Sequence, residues 1–371
     1  MRVLEVIPVQ IRIALAVLAC MGLLSGAAAA VQTARRRRLE RQRSLLLADV
    51  GLLQSALLPE LPERIGGARV TAAYRPAEGF AAGGDFYDAF ELPGGRTALL
   101  VGDIAGHGRE VVPLTALVRY SLRAYLEAGL TPRATLHVAG HVLAAQLDGR
   151  QVTIAVAIFD PGTGRLTYAC AGHWPPLLET TAAPVTVGSS PPIGAGVPTG
   201  RRQTTIALAP GASACFYTDG LDEVPVADGR LGRSGVAEEL RAVGPHGDAA
   251  DLIARIVQRS ERQPDDMAAC ILTALPGGAE HWALRLEELE VDAAAMSGGL
   301  TERFLLACGV GKPNIANALQ DADRIIRRAG TAIVEVRIGE TLTDVRVQRP
   351  AAVTMPIARR SATSLDLAAT G

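Results

Sequence analysis

The residues of this chain best suited to chemistry are carboxylates, and they come in four short motifs. These are Gly83-Gly84-Asp85-Phe86-Tyr87-Asp88, Gly102-Asp103-Ile104-Ala105-Gly106-His107-Gly108, Tyr217-Thr218-Asp219-Gly220 and Pro264-Asp265-Asp266. Each ends or follows an apolar, strand-like run: residues 98–101 precede Asp103, 214–217 precede Asp219, and 267–273 follow the Asp pair. Carboxylates at strand ends, flanked by glycine, describe a site assembled from distant segments. Hard cations such as Mg²⁺ and Mn²⁺ take such oxygens as ligands, with water in the remaining positions. Two chemistries fit an all-carboxylate site. A glycosidase acid/base pair needs two carboxylates and usually an aromatic-lined groove, whereas aromatics are 4% of this chain. A two-metal hydrolase, its ions about 3.5–4 Å apart around an activated water, uses four or more carboxylates. Taken singly, each Asp-Gly pair is also ordinary turn chemistry.

The ordered set resembles the SpoIIE/RsbU-type branch of the PPM (PP2C-like) serine/threonine phosphatases over about residues 57–275. It is joined by Ala171-Gly172-His173-Trp174-Pro175-Pro176-Leu177, Pro192-Ile193-Gly194, Leu208-Ala209-Pro210-Gly211 and Gly229-Arg230-Leu231-Gly232. The resemblance implies an α+β fold: a β-sandwich flanked by helices on both faces, with two or more Mn²⁺ or Mg²⁺ ions at one end. It implies that Asp103 bridges the metals, that the Ile104 carbonyl is a further ligand, and that Asp219 and Asp265 complete one shell. Asp85 belongs to the same cluster, directly or through water. Asp266 is read as capping the following strand or meeting solvent. The implied activity is hydrolysis of phosphoserine or phosphothreonine on a regulatory protein of the anti-sigma-factor antagonist type. The alternative is an inactive scaffold that binds a partner. The complete set Asp85, Asp103, Asp219 and Asp265 favours the enzyme. The chain departs from its relatives at Ala105, where they often carry Ser, and at Met267-Ala268, where Ile-Thr is common. A counterpart of the phosphate-holding Arg of eukaryotic-type enzymes is lacking, with Arg75 a weak candidate.

Among the histidines, His107 beside Asp103 suits a general acid for the leaving oxygen, or a turn-stabilising role. His173 reads as ordering its loop. His137 and His141 are spaced i, i+4 without the intervening Glu of H-E-x-x-H, which argues against zinc.

These residues need elements to place them. The helical spacing of Val111, Leu114, Thr115, Val118, Leu122 and Leu126 predicts a helix over 110–128, starting beside the Asp103 loop. Movement of that helix would move Asp103 and Ile104. Leu39, Leu46 and Leu53 recur every seven residues, with Val50 and Leu57 in support, over a continuous helix predicted for 35–58. The second half of this stripe also suits packing on the domain it enters; in the phosphatases this chain resembles such a linker forms dimers, so the resemblance implies a homodimer. Beyond 275 the resemblance stops. A strand over 282–291, helices over 300–309 and 315–329 and a hairpin over 331–347, turning at Gly339-Glu340, predict a small α/β appendage. Leu306 stands where a phosphate loop ending at Gly311-Lys312 would need its first Gly, so that motif is rejected. A GHKL-type kinase domain would need an Asn box and Gly-rich lid that are not found, which leaves an interaction module.

The organisation expected is therefore a short segment 1–12, a transmembrane helix 13–31, a basic linker 32–58, the phosphatase domain 59–275, the appendage 276–349 and a disordered tail 350–371. Residues 13–31 carry no charge. Nineteen helical residues span roughly 28 Å, near the ~30 Å hydrocarbon core. Ala27 to Ala30 also fit a signal-peptidase site. The cluster Arg35-Arg36-Arg37-Arg38, with Arg41 and Arg43, against Arg2 and Arg12 before the span, marks the cytoplasmic side and favours a membrane anchor with a cytoplasmic catalytic domain. The dozen residues before the span leave no room for a sensor there. The net charge of −1 gives no drive toward nucleic acid. Five scattered cysteines without a C-x-x-C pair read as reduced, buried hydrophobes.

Overall fold

The computed structural model describes residues 58–77, 83–106, 108, 110–178, 185–227, 229–244, 247–260, 265–276, 285–339 and 343–350, together with nine positions between 21 and 40. The chain divides into two compact units, Met1–Leu53 and Gln54–Gly371. In the first, residues 32–33, 35–38 and 40 are helical, and Arg35 to Arg38 are exposed. Most of the expected membrane span, the tail after 350 and the leucine stripe up to Leu57 lie outside the described residues. Among those described, no helix is long and apolar enough to cross a membrane. Leu58 stands in a bend, not in the predicted helix.

The second unit is a sandwich of two antiparallel sheets. The smaller is ordered β1 (Arg64–Ile65), β2 (Ala68–Arg75), β12 (Met267–Ala274), β9 (Ser213–Tyr217) and β7 (Leu177–Leu178). The larger runs β15 (Thr343–Gln348), β14 (Thr331–Ile338), β13 (Arg285–Asp292), β8 (Arg202–Ala207), β6 (Arg165–Ala171), β5 (Val152–Asp160), β4 (Arg96–Ile104) and β3 (Phe86–Leu92). A short hairpin, β10 (Pro225–Val226) with β11 (Gly229–Arg230), stands apart. Val70, Leu99, Val101, Phe216 and Leu272 come from both sheets and share the core between them.

Helices cover both outer faces. Helices α1 (Val111–Glu127) and α2 (Pro132–Val142) pack on the larger sheet, and α3 (Gly232–Val243) and α4 (Ala249–Arg259) on the smaller. With covers on both sides, β12 is buried at every position and its sequence is continuously apolar, without the alternation of a half-exposed strand. Helix α1 buries Val111, Thr115, Val118, Leu122 and Leu126 of the stripe its spacing predicted, while Leu114 is half-buried at the margin. It also buries Arg119, which the periodicity did not single out.

The C-terminal segment departs from the expected appendage. Strand β13 pairs with β8 from Arg285↔Ile206 to Leu289↔Arg202, so β13, β14 and β15 extend the larger sheet. Helices α5 (Ala293–Ser297), α6 (Leu300–Ala307) and α7 (Lys312–Ala329) cover one face of the extension, with Ile315, Ala318, Ala322 and Ile326 of α7 facing Val334 and Val336. A buried knot closes the seam. Glu287, fully buried, accepts from Arg202 at 2.6 Å, Thr204 at 2.7 Å and Arg285 at 2.6 Å.

Candidate active site

Antiparallel pairing brings the acidic motifs to one end of the sandwich. Phe86, at the start of β3, is opposite Gly102 near the end of β4, which carries Asp103 and Ile104. In the other sheet, the end of β9 at Tyr217 is opposite Ala269 near the start of β12, and Arg75, at the end of β2, is opposite Met267. Asp85 therefore precedes one strand, Asp103 closes a second, Asp219 opens a 3₁₀ turn (Asp219–Leu221) after a third, and Asp265-Asp266 lead into a fourth.

The Gly83-Gly84 pair holds the first of these loops. Ile104 N–H donates to the Gly84 carbonyl at 3.2 Å. A Cβ on Gly84 would overlap the Ile104 carbonyl oxygen and Asp103 Oδ1, and one on Gly83 would overlap the Asp266 carboxylate. The backbone thus passes so close to the acidic groups that no side chain fits there.

The structure places Asp85, Asp103, Asp219, Asp265 and Asp266 in one electrostatic group. Asp85 is buried, and burial, then Asp103, Asp266 and Asp219, push its carboxyl well above the usual range, opposed by a 2.6 Å hydrogen bond from Thr218 Oγ1. Burial, then Asp219, Asp265 and Asp266, push Asp103 up to about 7. Asp219 is raised by burial, then by Asp265 and Glu223. Asp222, in the turn after Asp219, is pushed up to about 6 by burial, Asp219 and Glu223, against Arg233 and Arg230.

Asp266 does not meet solvent. It is buried, accepts from Ala77 N–H at 2.7 Å and is hydrogen-bonded by the Tyr74 side chain, so it ties the end of β2 to the glycine loop. Its own N–H donates to Asp265 Oδ1 at 2.8 Å, while Asp265 faces outward as an exposed residue. His107 lies outside the described residues, as does Pro264. Arg75 is exposed at the end of β2. His173 Nδ1 sits 2.9 Å from the Trp174 carbonyl, and burial pushes its pKa down to about 4. The ring is therefore neutral, donates through Nδ1, and holds its own loop. His141 Nδ1 contacts the His137 carbonyl at 2.9 Å on α2, away from the acidic end.

Two residues with a part in the site were not singled out from the sequence, Thr218 and Tyr74. Thr218 lies inside a quoted motif, and a hydroxyl beside an acidic turn was the available signal. Tyr74 gives none, because its link to Asp266 is non-local.

The donor set fits hard divalent cations. All side-chain donors are oxygens, the Ile104 carbonyl lies against Gly84 beside Asp103, and the largest influences on Asp103 include no cation to balance its neighbours. Among the described residues, no three His, Cys, Asp or Glu side chains stand ready-made as a metal shell. The group is looser than that, and its members are coupled through repulsion.

Comparison with known proteins agrees with this geometry. Residues 93–274 match the family model for Stage II sporulation protein E (SpoIIE). The SiaA-PP2C domain of Pseudomonas aeruginosa is similar at 23% identity and TM-score 0.54, over 63% of this chain and 98% of that one. The RsbU and RsbW domains of Rv1364c from Mycobacterium tuberculosis match at 26% identity and TM-score 0.48, over 74% of this chain and 81% of that one. The PP2C phosphatase domain of SpoIIE from Bacillus subtilis, with a fragment of its regulatory domain, matches at 18% identity and TM-score 0.48, over 56% and 63%. The fold is that of PP2C-like domains, and residues 93–274, a little under half of the chain, are similar to the SpoIIE family.

Proposed function

We propose that this protein is a metal-dependent serine/threonine phosphatase acting on phosphoserine or phosphothreonine of a regulatory protein of the anti-sigma-factor antagonist type. The observation that carries the reading is the gathering of five carboxylates from four strand ends at one end of the sandwich. Asp103, Asp219, Asp265, Asp85 and the Ile104 carbonyl would hold Mn²⁺ or Mg²⁺. Bound there, such ions act as Lewis acids and lower the pKa of a water to make the nucleophile. The remaining tasks belong to the chain. Thr218 fixes the orientation of Asp85 through its hydroxyl, and its own N–H and Oγ1 are locked to Ala268 in β12. Asp266 and Tyr74 hold the glycine loop so that Ile104 keeps its carbonyl beside Asp103. Substrate class rests on the SpoIIE-type relationship, and placement at the cytoplasmic face of a membrane on the apolar stretch and arginine cluster of the N-terminus.

The test is hydrolysis of a small aryl phosphate and of a phosphoserine peptide by the full chain, with and without Mn²⁺. Turnover that needs the metal, and falls at least ~10²-fold in Asp103→Asn, is expected when the metal-activated water is lost. Bound Mn²⁺ without turnover on either substrate would favour the scaffold reading. Near-normal turnover in Asp103→Asn would remove Asp103 from the site.

A further inference from the structure

Strand β15 ends the larger sheet, and its outer edge has no partner among the described residues. It is six residues long, keeps an unbroken register with β14 from Thr343↔Ile338 to Gln348↔Ile333, and has no bulge or internal proline. Such an edge is a template for another strand unless something blunts it. Its two faces differ. Val345 and Val347 are half-buried and pack with the α7 core, while Asp344 and Arg346 are exposed on the opposite face.

The charges on that side form a checkerboard across β14 and β15, exposed in β15 but with Glu335 buried and Arg337 half-buried in β14. In β14, Glu335 and Arg337 pair with each other at 2.8 Å. In β15, Asp344 is directly opposite Arg337 and Arg346 is directly opposite Glu335, and these two also pair with each other, at 3.6 Å. Across the β14–β15 ladder each charge therefore has an opposite charge and another along its own strand, whereas on its inner side Glu335 is directly opposite Glu288 of β13. At the outer edge the pattern stops.

We propose that the edge of β15 is an interface for a second copy of this chain, joined antiparallel about a two-fold axis at Val345. A two-fold axis perpendicular to the sheet keeps both sets of covering helices on one face, so directly opposed residues must have numbers of equal parity. With the axis at Val345, Asp344 falls opposite Arg346 of the other copy, and Arg346 opposite its Asp344. Shifting the axis by one residue sets Asp344 against itself or Arg346 against itself. Opposed like charges on neighbouring strands are unfavourable. The charge sequence of β15 thus selects one register, and in that register the checkerboard continues across the axis. The interface is isologous, as two-fold dimers require, and would join two eight-stranded sheets into one of sixteen strands.

The experiment is sedimentation velocity over a concentration series on the full chain carrying Leu46→Glu and Leu53→Glu, which removes any self-association through the linker, with the added variants Asp344→Arg and Arg346→Asp. Each variant alone opposes like charges in both symmetric pairs. Its self-association constant should weaken by roughly tenfold or more, and its sedimenting mass should halve. Mixing the two variants restores opposite charges at both pairs and should restore the mass of the linker variant. Val345→Cys gives a second reading that leaves the charges intact. At the axis the two Cα atoms fall about 4.5–5.5 Å apart, within disulfide reach, so oxidation should give a covalent dimer beyond any wild-type background. Unchanged mass in both charge variants, or a Val345→Cys chain that does not cross-link, would overturn the proposal. So would a monomeric linker variant that dimerises only after residues 351–371 are removed, since that would assign the edge to the tail of the chain.

Discussion

Asp265 is exposed and Asp266 is buried, although nothing in Pro-Asp-Asp distinguishes them by type. Replacing Asp266 by Ala should strip a buried acceptor from Ala77 N–H and Tyr74, at a cost of about 1–3 kcal/mol for each group left unpaired. Melting temperature should fall by roughly 2–4 °C per kcal/mol, already visible in the presence of a chelator. Asp265→Ala loses only the acceptor of the Asp266 N–H, so it should lower chelated melting by less than Asp266→Ala and instead raise the Mn²⁺ concentration needed for turnover. Equal effects of the two changes on melting would mean that their roles are not divided in this way. Thr218→Val should resemble Asp266→Ala, because it removes the donor to Asp85 and leaves Ala268 N–H without its acceptor. The four acidic motifs could be read from the chain because each joins a turn residue to an apolar run, a local pattern. The division of labour inside the pair came only with the family resemblance, and the burial of Asp266 could not be read at all, because it is set by Ala77 and Tyr74, nearly two hundred positions away in sequence.

Strand β13 illustrates the same difference between local and distant information. Its alternation, and the helices and hairpin that follow it, could be read from the sequence and are found within a few residues of where they were expected. Its partner could not, because pairing with β8 leaves no trace in the periodicity of either strand. Glu287 was the available clue: an acidic residue on the apolar face of an alternating strand needs a buried cation, which proves to be Arg202. Arg202→Met should therefore cost about 3 kcal/mol, toward the low end of the range for a broken buried pair because Arg285 still contacts Glu287. The double change Arg202→Met with Glu287→Leu should recover most of that loss, as measured by urea unfolding. A second seam contact predicts a pH effect. Asp292 caps α5 by accepting from Ala295 N–H at 2.8 Å and pairs with Arg201 at 2.8 Å. These interactions hold its folded pKa below the usual carboxylate value. Its contribution is then fully present above the unfolded pKa of about 3.9 and is lost as pH falls through the lower folded value. Asp292→Asn should flatten the fall in stability below about pH 4, while wild type and variant keep a constant difference at neutral pH.

For the molecule as a whole, the reading of the N-terminus makes a topological prediction. If residues 13–31 anchor the chain with the arginine cluster inside, a reporter fused after Gly371 should be active in the cytoplasm and sediment with membranes. A secreted reporter, cleaved near Ala30, would instead support a signal peptide. The continuous larger sheet has a further consequence, for genetics. The strand that follows Asp85 and the strand that carries Asp103 lie at one margin of that sheet and β15 at the other, with β13 completing the hydrogen-bond ladder of β8 between them. A stop codon falling after 275 would spare every acidic residue of the site yet expose the edge of β8 and strip Arg202 of Glu287. In a genetic screen, late nonsense alleles should therefore score as loss of phosphatase through loss of protein. A scheme that truncates the chain where the family resemblance ends should give insoluble material, although the active-site residues are intact.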